Sequence, residues 1–313
     1  MRAAVGALNA VEAQDHTLAG PHGPLPVRVY RRQPPAAAQP GPALVWAHGG
    51  GFAYGDLEMA EADWVARSLA ARGIPVVSVD YRLAPPFEAL DAADLHQGEP
   101  ETGVRFPVPG EELAAAFDWT RAQAVELGAD PERMSLGGAS AGANLAAGVV
   151  LTRLARTTGD DDEHPARPLP AHLLLAYPTL HAVQPPTPAD LRALLDADPE
   201  ADGFGPEPVR RMYENYLGGP VEDAPVAAVP GTADVAQLAG HPPTTVVTGE
   251  VDELRVSAEA YAESLRQAGV DVALEMVAGV RHGHLNRPHE GPAAAQAAQQ
   301  TIEQFAARLL RTP

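Results

Sequence analysis

Short runs of apolar residues alternate along the chain with longer stretches in which apolar positions recur every three or four residues. Val27 to Tyr30 alternates like a half-buried first strand, and Ala43 to Ala47, Ile74 to Tyr81, Met134 to Ser140, His172 to Tyr177, Thr244 to Thr248 and Val272 to Val277 read as buried strands. Between them, Glu58 to Arg72, Glu111 to Leu127, Ala143 to Leu154, Val256 to Ala268 and Ala293 to Leu310 carry the helical period. Alternation of this kind predicts an α/β fold, with a mostly parallel central sheet and helices on both faces. The first residues, Met1 to about Pro26, show weak helical character and then turn signals, so a short helix or irregular arm is expected there.

The rhythm breaks between Val183 and Pro220, where helices are expected near Ala189 to Ala197 and Pro208 to Leu217 around a Gly/Pro turn. An inserted helical pair at this point reads as a small cap. The expected organisation is an N-terminal arm over 1–25 contributing to the cap, a core over 26–182 and 221–313, and the cap insertion over 183–220. Phe87 to Val104 is acidic and irregular, and it reads either as a flap near the active edge that narrows the way in or as a tolerated surface loop. Asp160-Asp161-Asp162-Glu163-His164 reads as a hydrated loop rather than a metal site.

Composition narrows the chemistry. A formal charge of −19 over 313 residues excludes a nucleic-acid partner, which needs concentrated basic side chains. All 22 basic residues are Arg, so no lysine is available for a Schiff base or a phosphate loop, and no cysteine is available as nucleophile, disulfide or metal ligand. No apolar run reaches the roughly 18 residues of a membrane span. Met1 to Ala10 is shorter than a signal-peptide core and reads as mature sequence, so a cytoplasmic location is expected.

Covalent chemistry then falls to Ser, Thr, Asp, Glu, His or Tyr. Gly138-Ala139-Ser140-Ala141-Gly142, between a predicted strand and a predicted helix, reads as a nucleophile elbow: the sharp turn exposes the serine oxygen, and the glycines give it clearance. His48-Gly49-Gly50-Gly51-Phe52 places three glycines at another strand end, where either something must approach the backbone closely or the backbone must adopt conformations closed to other residues. Serine needs a base, and the base needs an orienting acid. Downstream lie Glu250, Asp252 and Glu253 past one strand, then His282 and His284 past the next. This is the chain order Ser, acid, His.

The four motifs together resemble the hormone-sensitive-lipase-like, or bacterial type IV, carboxylesterases of the α/β-hydrolase superfamily. They are His48-Gly49-Gly50-Gly51, Asp80-Tyr81-Arg82-Leu83-Ala84-Pro85, the elbow with Asn144-Leu145-Ala146 behind it, and Asp252 ahead of His282. The resemblance implies an α/β-hydrolase fold with a helical cap and a small-molecule ester substrate of short to medium acyl length, hydrolysed without a cofactor or metal. It assigns Ser140 as nucleophile, His282 as general base then acid, and Asp252 as orienting carboxylate. Gly50, Gly51 and Ala141 would supply the oxyanion-hole N–H groups, His48 and Gly49 would support that loop, and a homodimer through the last strand and terminal helix is suggested.

Three departures bear on these assignments. Ala139 stands where an acidic residue is usual. Asp252-Glu253-Leu254-Arg255-Val256 lacks a usual proline and a second carboxylate, which leaves Glu250 and Glu253 as rival acids. His284 stands where an aromatic is common, and reads as a pocket-wall or surface histidine. Amide, lactone or acyl-transfer chemistry would use the same triad, and a non-catalytic ligand-binding role on this fold is the alternative outside enzymes. Since a protonated His282 is no base, activity is expected to fall on the acid side of neutrality.

Overall fold

The computed structural model describes residues 8, 10–32, 40–87, 103–157 and 167–311. The acidic Asp160 to His164 loop and most of the Phe87 to Val104 segment lie outside these residues. One eight-stranded sheet runs through the described chain in the order β1-β2-β4-β3-β5-β6-β7-β8. Its strands are β1 (Val11–Gly20), β2 (Gly23–Arg32), β3 (Gly41–Ala47), β4 (Val76–Val79), β5 (Ala129–Ala139), β6 (Leu173–Ala176), β7 (Thr244–Val251) and β8 (Val272–Arg281). The β1–β2 and β2–β4 pairs are antiparallel and the others parallel.

The parallel strands are continuous apolar runs because both their faces are covered. Leu44 and Trp46 of β3 and Leu174 of β6 face one layer, made by α1 (Ala60–Ala70) and α8 (Pro292–Arg311) through Val65, Leu69, Ile302 and Phe305. Val45, Leu173 and Leu175 face the opposite layer of α2 (Val108–Ala122), α4 (Ala141–Thr157) and α7 (Arg255–Gln267). A short helix, α3 (Ala124–Leu127), follows α2, and Gly128 ends it in the left-handed region. The helix expected over Glu111 to Leu127 is thus broken at Gln123.

The N-terminal arm differs from expectation. Residues 11–20 form an edge strand, in register with β2 from Val11 opposite Arg32 to Gly20 opposite Gly23. Its outward positions are polar, and only Val11 and Leu18 in β1 are buried apolar side chains, each worth about 1.5–3 kcal/mol. Cross-strand charge pairs do the rest of the matching: Asp15 lies opposite Arg28 and Glu12 opposite Arg31, and both pairs form ion pairs.

Between β6 and β7 lie two helices, α5 (Ala189–Ala197) and α6 (Pro206–Leu217). Leu191, Leu195 and Ala201 pack against Val251 and Val256 at the end of β7 and the start of α7. Val209, Met212, Tyr213 and Tyr216 of α6 join the main core. Among the described residues no helix is long and apolar enough to cross a bilayer.

Candidate active site

Four parallel strands deliver their next residue to one sheet edge: His48 follows β3, Ser140 follows β5, Asp252 follows β7 and His282 follows β8. The carboxyl edge of such a sheet is where a ligand site is built. Ser140 sits at φ 51°, in the left-handed region that a non-glycine residue adopts only when its surroundings hold it there. The packing behind it does so. A Cβ on Gly142 would lie 2.2 Å from the Ala47 carbonyl oxygen, and one on Gly138 would lie 2.5 Å from the Gly142 carbonyl carbon. Elbow, α4 and β3 therefore pack backbone against backbone, and Ser140 caps the helix by accepting the Asn144 N–H at 3.2 Å.

The structure brings Ser140, His282 and Asp252 together. His282 Nε2 lies 3.0 Å from Ser140 Oγ, and His282 Nδ1 lies 3.0 Å from Asp252 Oδ2. Asp252 is fully buried, and its other oxygen accepts the Leu254 N–H at 2.9 Å. A carboxylate only accepts, so Nδ1 carries the proton and Nε2 is left to accept from the serine hydroxyl. The neighbouring carboxylates turn elsewhere. Glu250 accepts the Gly279 N–H at 2.8 Å, and Glu253 accepts the Phe204 N–H at 2.8 Å. His284 is buried beside Thr301, with Nε2 2.9 Å from its Oγ1, and burial pushes its imidazole down to about 4.

The glycine loop faces Ser140. Gly50 and Gly51 have φ of 116° and 60°, and a Cβ on Gly50 would lie 2.0 Å from the Tyr54 carbonyl oxygen. Ala141 is the first residue of α4, so its N–H has no acceptor one turn back. His48 is buried and stacked on Tyr81 at 4.3 Å, its Nδ1 2.7 Å from the Gly49 oxygen, while the Tyr81 hydroxyl donates to the His48 carbonyl at 2.8 Å. Desolvation lowers the His48 pKa below its ordinary value. Phe52 stacks on Tyr216 at 4.0 Å and so joins the loop to α6.

Above the serine is a cavity of about 520 Å³. Ser140, His282 and the glycine loop form its floor, and Tyr54, Phe87, Phe204 and Met212 line its apolar walls. A serine hydroxyl on a partly exposed histidine backed by a buried carboxylate, at the base of a largely apolar cavity with N–H donors at a helix start, is equipped for acyl transfer. The family described as alpha/beta hydrolase fold matches residues 44–94 and 100–286.

The chain belongs to the α/β-hydrolase family. This α/β-hydrolase is 35% identical over 281 residues to carboxylesterase NlhH of Mycobacterium tuberculosis, an alignment spanning 87% of this chain and 75% of that one. It is 30% identical over 266 residues to ethyl acetate hydrolase of Pseudomonas putida, spanning 82% and 70%. Among solved structures, the esterase of Pyrobaculum calidifontis superposes with a TM-score of 0.75 at 29% identity, over 98% of this chain and 88% of that one. Carboxyl esterase 2 of Tuber melanosporum gives 0.75 at 26% identity, over 97% and 88%. Within the family the chain is hormone-sensitive-lipase-like, as its motifs suggest.

Two residues of this hydrolase's site carried no sequence signal. Glu61, on α1, is fully buried; one oxygen accepts the Gly49 N–H at 3.0 Å and the other accepts from Trp46 Nε1, while its own N–H donates to Asn286 Oδ1 at 3.1 Å. It thus joins the glycine loop to the turn after His282. Burial pushes its carboxyl up to about 7. In the sequence it is one of several acids on an amphipathic helix and reads as solvated. Phe204, the second, sits in a Gly/Pro turn that only the folded chain brings against His282, with ring centroids 4.4 Å apart.

Proposed function

We propose that this protein is a serine carboxylesterase that cleaves short to medium acyl esters through an acyl-enzyme. The observation that carries the reading is the continuous relay from Ser140 through His282 to a buried Asp252, with 3.0 Å at each step. His282 takes the Ser140 proton as Oγ attacks the ester carbonyl. Asp252 fixes the tautomer that leaves Nε2 free and stabilises the imidazolium that forms. The N–H groups of Gly50, Gly51 and Ala141 receive the charge on the former carbonyl oxygen, and each such donor contributes about 3 kcal/mol to the transition state. The imidazolium then protonates the departing alcohol oxygen. In the second half His282 activates water, and the acid product leaves.

The cavity walls are mostly apolar, with Glu207 and Arg211 the charged side chains in the lining, which supports an uncharged ester, and the names of relatives such as the ethyl acetate hydrolase point the same way. In this reading 183–220 is the cap: α5 and α6 stand over the carboxyl edge, and Phe204, Val209 and Met212 line the cavity from above. His48 and Glu61 hold the glycine loop, and no cofactor takes part.

The test is hydrolysis of p-nitrophenyl esters from acetate to dodecanoate. The intact protein is expected to peak at short or middle chains. Ser140→Ala is expected to lose at least about 10⁴-fold in kcat, and Asp252→Asn about as much, because the wrong tautomer then faces the serine. Failure of the intact protein to turn over any of these esters, or full activity in Ser140→Ala, would overturn the reading.

A further inference from the structure

The loop that carries Asp252 reaches into the segment between α5 and α6, and it does so through the residue next to the acid. Glu253 is almost fully buried, and its Oε2 accepts the Phe204 N–H at 2.8 Å. The Phe204 carbonyl accepts from Gln184 Nε2. Both backbone polar groups of this one residue are therefore held by side chains from elsewhere in the chain. The flanking Gly203 and Gly205 add no side chain of their own to the turn, and a Cβ on Gly205 would meet Glu253 Oε1 at 3.3 Å. The result is an aromatic ring tilted against the His282 imidazole, at a centroid distance of 4.4 Å and an interplanar angle of 53°, on the wall of the cavity.

The chemistry says which part of an ester meets that wall. When the tetrahedral intermediate collapses, the carbonyl carbon–alcohol oxygen bond breaks. Its electron pair goes to the alcohol oxygen, and the proton that Ser140 gave up passes from His282 Nε2 to that oxygen. The alcohol oxygen must therefore lie within hydrogen-bond reach of Nε2, and its substituent lies beside the imidazole where Phe204 stands. The acyl substituent points away from His282. On the glycine-loop side a different set of atoms stands near: a Cβ on Gly51 would lie 3.4 Å from Met212 Sδ and from the Phe87 ring.

We propose that Phe204 determines which alcohols this enzyme releases, and that Glu253 is the positioning residue that keeps its ring against His282. The inference rests on the esterase reading above. The clamped ring is a fixed wall, and it favours small alcohol groups over broad ones. Glu253 occupies the position directly after the acid, so one short loop both orients the base and sets the boundary of the group the base protonates.

The experiment uses two ester series on the full chain. One keeps the acetyl group and varies the alcohol from ethyl to phenyl to 2-naphthyl; the other keeps p-nitrophenol and varies the acyl chain. In Phe204→Ala the ratio of kcat/KM for 2-naphthyl acetate to that for ethyl acetate is expected to rise about tenfold or more, with the acyl profile unchanged. Glu253→Ala is expected to move the ratio the same way. Glu253→Gln is expected to restore it, because the amide keeps an oxygen for the Phe204 N–H and offers its N–H to Asp202, the carboxylate beside it. If Glu253→Ala does not fold, as judged by its thermal transition, Phe204→Ala and Glu253→Gln carry the test. An unchanged or falling alcohol ratio in active Phe204→Ala overturns the proposal, and so does an equal change in both series. Loss of all ester turnover in the unmodified protein would instead remove the esterase reading itself.

Discussion

Glu61 is the residue whose environment and whose sequence disagree most. A glutamate on an amphipathic helix belongs at the surface, yet this one is fully buried between the Gly49 N–H and Trp46 Nε1. Desolvation raises its carboxyl to about 7 against the pull of those two donors, from an ordinary value of 4.5. Between these two values the folded chain holds the proton that the unfolded chain has released, so Glu61 withdraws stability as pH rises through the window and changes nothing further above it. Glu61→Gln cannot ionise. It is expected to lose less stability than the native chain from pH 5 to pH 7.5, by on the order of 3 kcal/mol. Guanidinium unfolding of both proteins at the two pH values measures this, and parallel pH dependence would contradict it. The rival acids were a different difficulty at this scale. Glu250 at the end of β7 and Asp252 and Glu253 just past it are carboxylates within four positions, and only the backbone path shows that Asp252, and not Glu250 or Glu253, meets His282.

At the scale of elements, what was legible depended on burial. Strands β3 to β7 and the helices that cover them are covered on both faces, and their apolar runs and periods could be read directly. The strand β1 could not, because it lies at the sheet edge and only Val11 and Leu18 of its ten residues are buried, which in a sequence looks like a loop. The packing of β3 against α4 across the two elbow glycines was legible only as a motif; the structure supplies the distances. A Cβ on Gly142 would meet the Ala47 carbonyl oxygen at 2.2 Å, and the neighbours on both sides are backbone, so nothing can rotate away. Gly142→Ala is expected to push the elbow off β3, with a loss of about 3 kcal/mol or more in stability and of nearly all activity. A thermal transition within a degree or two of the native value, with activity kept, would show that the contact is softer than this.

Across the whole molecule, buried histidines set the response to acid. His172, His181, His241 and His284 are each pushed down to about 4, in every case chiefly by burial. The unfolded chain takes up these protons near 6.5 and the folded chain does not, so their contribution is whole above 6.5 and is lost as pH falls toward 4. Four such groups outweigh the opposing contribution of Glu61, with which the raised carboxyls of Asp80 and Glu253 act in the same direction. The unfolding midpoint is expected to fall from pH 7 to pH 4.5, and His172→Gln or His241→Gln is expected to flatten that slope. A midpoint that stays level over the range, or slopes identical in the variants, would rule this out.

The loops that carry Asp252 and His282 also hold the segment above them. Glu253 accepts the Phe204 N–H, Arg255 pairs with Asp190 at 2.9 Å, and Arg281 pairs with Asp198 and Glu200. All three residues are next to the acid or the base, or within three positions of them. This hydrolase is consequently not modular at the join. An insertion lacking Asp190, Asp198 and Glu200 would leave Arg255 at the start of α7 and Arg281 at the end of β8 without these ion-pair partners. The residues flanking Asp252 and His282 thus double as anchors of the segment between β6 and β7.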